Sequence, residues 1–214
     1  MSRETKLVAF DMDGTLVEAK SSWAILNKEF ETDSGDMLER YMQGEITDEE
    51  FIEYDIKSWE EKTDGLNIKK INAVLDKIKI RNGAKELLSE IKKMGIKTVI
   101  ISGGISHLAK RVSKELGITE YYANDILEDK NGKIYGRVNL DSRDKGAILR
   151  KIIKDNNFRS SEVIAVGDEK IDIGMFEIAG TGIAVNTENK ELIEKATYYV
   201  KEENLLEILK FMGK

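Results

Sequence analysis

Asp11 and Asp13 stand either side of one methionine in the stretch AFDMDGTL, directly behind an apolar run at positions 7–10. Two carboxylates this close repel unless something positive, a cation or a proton, sits between them. Three more groups have the same character. Ser102-Gly103-Gly104 follows KTVII, Gly167-Asp168 follows EVIAV with Asp172 four residues later, and Lys145 opens a helix in RDKGAIL. Each has a plain role when taken alone, since Asp, Gly and Ser are ordinary turn and cap residues and most lysines are solvated. Taken together they supply a nucleophile, an acid/base, anion-binding amides and a cation, which is what phosphoryl transfer requires.

The elements that must position these groups follow from hydropathy. KLVAF, IKTVII, EVIAVG and GIAV read as buried strands, and NGAKELLSEIKKMG, SHLAKRVSKELG, DKGAILRKIIKDNN and IDIGMFEIAG as the helices between them. The alternation predicts an α/β fold with a doubly wound, Rossmann-like parallel sheet, in which ligands bind at the carboxyl ends of the strands. Asp11, Ser102 and Asp168 all fall at such ends. Residues 18–79 hold helical patterns and no convincing strand, which predicts a small all-helical cap (18–79) inserted after the first strand of a core made of 1–17 and 80–214. Asn131-Gly132, between alternating apolar positions, predicts a β-hairpin.

Composition limits the alternatives. The 214 residues include 34 basic and 40 acidic side chains, for a net charge of -6, with no basic block, which argues against nucleic-acid binding. No apolar run suggests a membrane span, and the start, MSRETK, lacks the features of a secretory signal, so a cytoplasmic location is expected. There is no cysteine and one histidine, so any metal must be held by oxygen.

The ordered set DMDGTL, ISGG, Lys145 and GDEKID resembles the four motifs of the haloacid dehalogenase superfamily of phosphatases, in the form used by its phosphoserine phosphatase-like branch. The cap and the hairpin carrying Gly136 fit the same branch, so the resemblance covers nearly the whole chain. It implies a phosphomonoester hydrolase acting on a small-molecule phosphate monoester, with Mg²⁺ relieving the repulsion at Asp11 and Asp13. Asp11 is then the nucleophile that forms an aspartyl-phosphate. Asp13, two residues on and on the same side of an extended backbone, is the acid/base. Ser102, Gly103 and Lys145 bind the phosphoryl oxygens. Asp11, Asp168 and the Asp13 backbone carbonyl hold the metal, and Asp172 orients Lys145 from behind.

The substrate-reading residues depart from the branch. Lys20 stands where an acidic residue meets the substrate ammonium, Arg40 is the only arginine well inside the cap, Lys57 lies where an arginine is expected, and Glu169 and Ile171 replace Gly and Asn. Lys20, Trp23 and Arg40 are therefore the candidate specificity residues, with Lys20 directed into the pocket. Among the cap aromatics, Trp23, Phe30, Phe51, Tyr54 and Trp59 are expected to pack a core of the cap's own, with Trp23 and Trp59 available to line the pocket mouth. His107 is expected on a helix start, partly exposed. Two other readings stand beside phosphoserine: a phosphatase for another small anionic ester, suited by a lysine-bearing cap, and a non-catalytic protein of the same fold. A nucleotide-binding P-loop is disfavoured, because no Gly-rich run follows the first strand.

Overall fold

All four residues of the first strand, β1 (Leu7–Phe10), are fully buried, with Leu7 and Ala9 in one apolar cluster and Val8 and Phe10 in another. A strand that is apolar on both faces belongs in the middle of a covered parallel sheet. The structure, a computed structural model, describes residues 4–201 and 204–212. Met1, Ser2 and Arg3 of the polar lead into β1 lie outside the described residues.

β1 lies between β2 (Lys97–Ile105) and β5 (Val163–Gly167), parallel to both. Outward on one side come β3 (Glu120–Glu128) and β4 (Ile134–Arg137), and on the other β6 (Thr181–Val185) and β7 (Tyr198–Val200), giving the order β4-β3-β2-β1-β5-β6-β7. Only β4 is antiparallel, paired with β3 in the hairpin expected around Asn131-Gly132. There Gly132 takes a φ of 83°, and Asp129 Oδ1 accepts from the amides of Asn131 and Lys133.

Helices cover both faces. α5 (Ala84–Lys93), α6 (Ser106–Leu116) and a 3₁₀ segment, Leu205–Phe211, pack with Val8 and Phe10; α7 (Lys145–Asp155), α8 (Ile173–Ile178) and α9 (Lys190–Lys195) pack with Leu7 and Ala9. This is the doubly wound α/β sheet that the sequence indicates. No helix among the described residues is long and apolar enough to cross a membrane.

Between β1 and α5 the chain forms four further helices: Ser22–Glu29, Gly35–Met42, Asp48–Lys62 and Ile68–Leu75. The third starts on a capping box, with Thr47 accepting from the Glu50 amide while Glu50 accepts from the Thr47 amide. The two ends of this insertion meet in an antiparallel bridge between Val17 and Ile80. The insertion does not keep a separate core. Trp59, fully buried, stacks on Trp23 at 6.0 Å and tilts against Phe30 at 5.8 Å, and together with Ile52, Ile56 and Ile71 it joins the cluster that contains Val8 and Phe10. The expectation of an independent cap core is corrected accordingly: a helical layer this thin buries its apolar side only by resting it on the domain beneath.

Candidate active site

The Asp11 amide still donates to Val166 O at 2.9 Å, prolonging the β1 ladder by one residue. The chain then turns, with the Leu16 and Val17 amides both reaching back to Met12 O. Asp13 therefore sits in a turn, not on the extended backbone expected, and the turn rather than strand periodicity brings it to the same cavity as Asp11. Gly14 makes this possible. Its φ is 72°, and a Cβ there would fall 2.6 Å from Asp168 Cγ. Arg81, just past the insertion, donates to Gly14 O at 2.7 Å and Thr15 O at 3.0 Å and so fixes the turn from outside.

The second group rests on a fault in the sheet. β2 pairs with β3 as far as Ile101 opposite Tyr122 and resumes at Ile105 opposite Asn124, so residues 102–104 face a single residue. Such a bulge turns backbone amides out of the ladder. Gly103 lies so close to Ser142 that a Cβ would be 2.5 Å from its hydroxyl oxygen. Its carbonyl accepts from Trp23 Nε1 at 3.0 Å, which ties the insertion to the bulge.

Lys145 is the first residue of α7 and is fully buried, with Nζ 2.9 Å from Asp11 Oδ1 and 2.7 Å from Asp172 Oδ1. Burial opposes its charge, but the two carboxylates outweigh burial and hold the ammonium above the ordinary lysine range. The other Asp172 oxygen accepts from the amides of Asp168 and Glu169 at 3.0 Å each, so the whole carboxylate is taken up in positioning. Asp168 accepts from Thr15 Oγ1 at 2.9 Å and from Lys20 Nζ at 2.7 Å. Burial first and the Asp11 charge second push its carboxyl up to about 7, against Lys20, while burial lifts Asp172 to about 6, against Lys145.

Asp13 Oδ2 accepts from both the amide and the hydroxyl of Ser22, each at 2.7 Å, while Oδ1 is buried with no hydrogen-bond partner. Burial raises its pKa to about 6, the Ser22 bonds working the other way.

Asp11, Asp13, Ser102, Gly103 and Lys145 line one cavity of about 410 Å³, walled on the far side by Trp23, Leu38, Tyr41, Met42, Phe51 and Ile52. Lys20, Glu169 and Ile171 also border it. Lys20 borders the cavity, but its ammonium does not stand free in it. Its ammonium is held by Asp168 and, at 2.8 Å, by the Asn186 carbonyl. Arg40 is not brought to the cavity, because the second insertion helix turns it outward to Glu45, 3.3 Å away. Trp59 lies behind Trp23 rather than at the mouth, Lys57 is exposed, and His107 pairs with Asp76 at 2.9 Å. Phe51, expected in a cap core, lines the cavity instead and stacks on Tyr41 at 5.3 Å, and Tyr54 is exposed.

Sequence reasoning missed Thr15, Ser22 and Arg81, which hold the carboxylates and the turn, and the buried set in which Asp48 accepts from Tyr41 and Ser142 at 3.0 and 2.7 Å. Ser22 carried a signal: a Ser-Ser pair at the start of an apolar helix is a place to look for side-chain hydrogen bonds. Arg81 carried none, since its partners are backbone carbonyls.

A model of the haloacid dehalogenase-like hydrolases matches residues 5–180. The chain belongs to that family. Among relatives of this haloacid dehalogenase-like hydrolase, a phosphoserine phosphatase of Methanocaldococcus jannaschii is 30% identical over 99% of this chain and its own full length. One of Archaeoglobus fulgidus is 35% identical over 96% of this chain, which spans 59% of that relative's length. Two solved structures of phosphoserine phosphatase, a phospho-aspartyl intermediate analogue and a substrate-bound complex, superpose with TM-scores of 0.79 and 0.82. Both are 28% identical; the pairs cover 97% of this chain and 99% and 98% of theirs.

Proposed function

We propose that this haloacid dehalogenase-like hydrolase is a Mg²⁺-dependent phosphomonoesterase that works through an aspartyl-phosphate on Asp11. One observation carries the reading: a fully buried lysine ion-paired with Asp11 lines the same cavity as the Ser102–Gly103 bulge and Asp13. A buried cation, the bulge amides and a hydroxyl collected beside two carboxylates suit an anionic group of the substrate. In this reading residues 18–79 are the cap that closes over the core, and the cysteine-free chain works in the cytoplasm.

Oxygens of Asp11, Asp168 and Asp172 lie within 4.8 Å of one another, and so close a set of buried carboxylates fits a hard divalent cation. Asp11, Asp168 and the Asp13 carbonyl would hold it; Asp172, with both oxygens in use, would position. When bound, Mg²⁺ neutralises phosphoryl charge as it develops.

The protein's own steps follow from which oxygens are free. Asp11 attacks phosphorus, and the bond from phosphorus to the ester oxygen breaks. The proton on Asp13 Oδ1, the oxygen left unpartnered by Ser22, passes to that leaving oxygen. Asp13, now ionised, takes a proton from the water that attacks the aspartyl-phosphate; phosphate leaves and Asp11 is restored. A carboxyl near pKa 6 suits both directions of transfer close to neutrality.

The relatives are phosphoserine phosphatases, so phosphoserine is one ester to include in the test. Phosphate release from a panel of phosphate monoesters with Mg²⁺, repeated with Asp11→Asn and after chelation, tests the reading. Turnover lost in both controls is expected; an Asp11→Asn protein that keeps more than a few per cent of activity would overturn it.

A further inference from the structure

The cavity's far wall is built for something other than an amino acid. A zwitterionic leaving group needs a cation for its carboxylate and an acceptor for its ammonium, both desolvated with it. Among the described residues three cations border the cavity, and each is engaged: Lys145 by Asp11 and Asp172, Lys20 by Asp168 and the Asn186 carbonyl, Lys170 by Glu191 at 2.7 Å. The first two sit at the phosphate end, and Arg40 is outside.

The acceptors that the insertion brings to the cavity are engaged as well, and Glu169 borders it from the core, beside Asp168. Asp48 takes Tyr41 and Ser142, and the Asn27 side-chain oxygen takes the Trp59 and Thr32 donors. What remains facing the space from the insertion is apolar. Trp23 is fixed by its stack on Trp59 and its bond to Gly103, and Tyr41 by its stack on Phe51 and by the Arg143 guanidinium 4.7 Å from its ring centre. Leu38 and Met42, one helical turn apart, line the same space while 49% and 50% exposed, so the apolar surface at the mouth lies open to water.

Resting on the phosphomonoesterase reading, we propose that the ester this site takes is the phosphate of an apolar, uncharged alcohol, whose hydrocarbon part packs against Trp23, Phe51, Leu38 and Met42. Selectivity then comes from excluding charge. A carboxylate or ammonium placed against this wall loses its water and gains no partner, whereas a benzyl or alkyl group covers surface that is otherwise wet.

The test compares benzyl phosphate and hexyl phosphate with phosphoserine and glycerol 3-phosphate. Benzyl and hexyl phosphate and phosphoserine all release primary alcohols, so differences in leaving-group reactivity are kept small. With Mg²⁺, kcat/KM for benzyl and hexyl phosphate should exceed that for phosphoserine at least tenfold. Phe51→Ala and Met42→Gln should each reduce that ratio at least threefold. Calorimetric binding of benzylphosphonate against 2-amino-3-phosphonopropionate should show the same order, and it does not depend on turnover. Phosphoserine turned over as well as the apolar esters, with matching phosphonate affinities, would overturn the apolar leaving group and leave the phosphomonoesterase reading standing. No release from any ester would overturn both.

Discussion

Lys20 reaches back over the turn behind β1 and places its ammonium 2.7 Å from Asp168 Oδ2, one of the two carboxylates proposed to hold the metal. The Asn186 carbonyl, 2.8 Å away, holds it there. A side chain that read the substrate would extend toward the far wall; this one acts on the charge balance at the phosphate end. Lys20→Met should therefore tighten Mg²⁺ binding. Because the lysine is half exposed, the gain is modest, about fivefold or 1 kcal/mol. Calorimetric titration with Mg²⁺ and the rise in Tm on adding it both read this without turnover. Unchanged or weaker Mg²⁺ affinity in Lys20→Met would show that the ion pair does not compete with metal.

Asp13→Asn keeps an oxygen for the two Ser22 donors and removes the proton-carrying oxygen. kcat should fall roughly 10²–10⁴-fold, while inhibition by inorganic phosphate stays within about threefold, since the anion donors lie on Ser102, Gly103 and Lys145. Steady-state kinetics with phosphate as product inhibitor measures both. A kcat within threefold of the parent would remove Asp13 from the proton path.

Lys145→Ala leaves Asp11 and Asp172 buried with no cation between them. Removing one partner of a buried ion pair costs roughly 3–5 kcal/mol, so the metal-free protein should lose stability on that scale and all turnover with it. Urea unfolding in chelator is the check. Adding Lys145→Ala to an Asp172→Asn protein should cost less than adding it to the parent, because one of the stranded charges is already gone.

Away from the site, burial lifts the Asp55 carboxyl to about 6, partly opposed by Asn27 and Ser34. A carboxyl raised in the folded chain above its unfolded value of 3.8 binds protons more tightly when folded. Stability from this group therefore falls as pH rises from about 4 to 6, by on the order of 3 kcal/mol. Asp13, Asp168 and Asp172 shift the same way and Glu162 the opposite way at lower pH, so the parent curve alone mixes them. The difference between Asp55→Asn and the parent isolates one carboxyl. In urea unfolding it should favour the variant more at pH 7.5 than at pH 5, and an equal difference at both would refute the shift.

The sheet and the polar groups that line the cavity were legible in the sequence for the same reason: buried parallel strands are continuous apolar runs, and polar groups collect where those runs stop. β1, β2 and β5 announce themselves, and Asp11, Ser102 and Asp168 follow them directly. β7 and α9 escaped because TYYV is half exposed at a sheet edge and KELIEK is six residues with a single buried leucine. The place of Arg40 and the partner of Lys20 escaped for a different reason. Position along a helix or loop says which residues are near the cavity, but not which neighbour a long charged side chain will prefer, and Glu45 and Asp168 are both within reach. Ser22 and Arg81 act through a few hydrogen bonds to a carboxylate or to backbone carbonyls in the turn behind β1, and such contacts leave no periodic trace.

The bridge between Val17 and Ile80 has an evolutionary reading. A segment whose first and last residues pair with each other can grow, shrink or be exchanged without changing the strand order or register of the sheet beneath. The chain could thus trade one lid for another and with it one clientele of alcohols for another, while Asp11, Ser102 and Lys145 stay where they are. Arg81 limits this freedom. By gripping the carbonyls of Gly14 and Thr15 immediately after the return, it ties the graft junction to the turn behind β1, so an exchanged insertion must bring the chain back at Ile80 in the same register for that grip to survive.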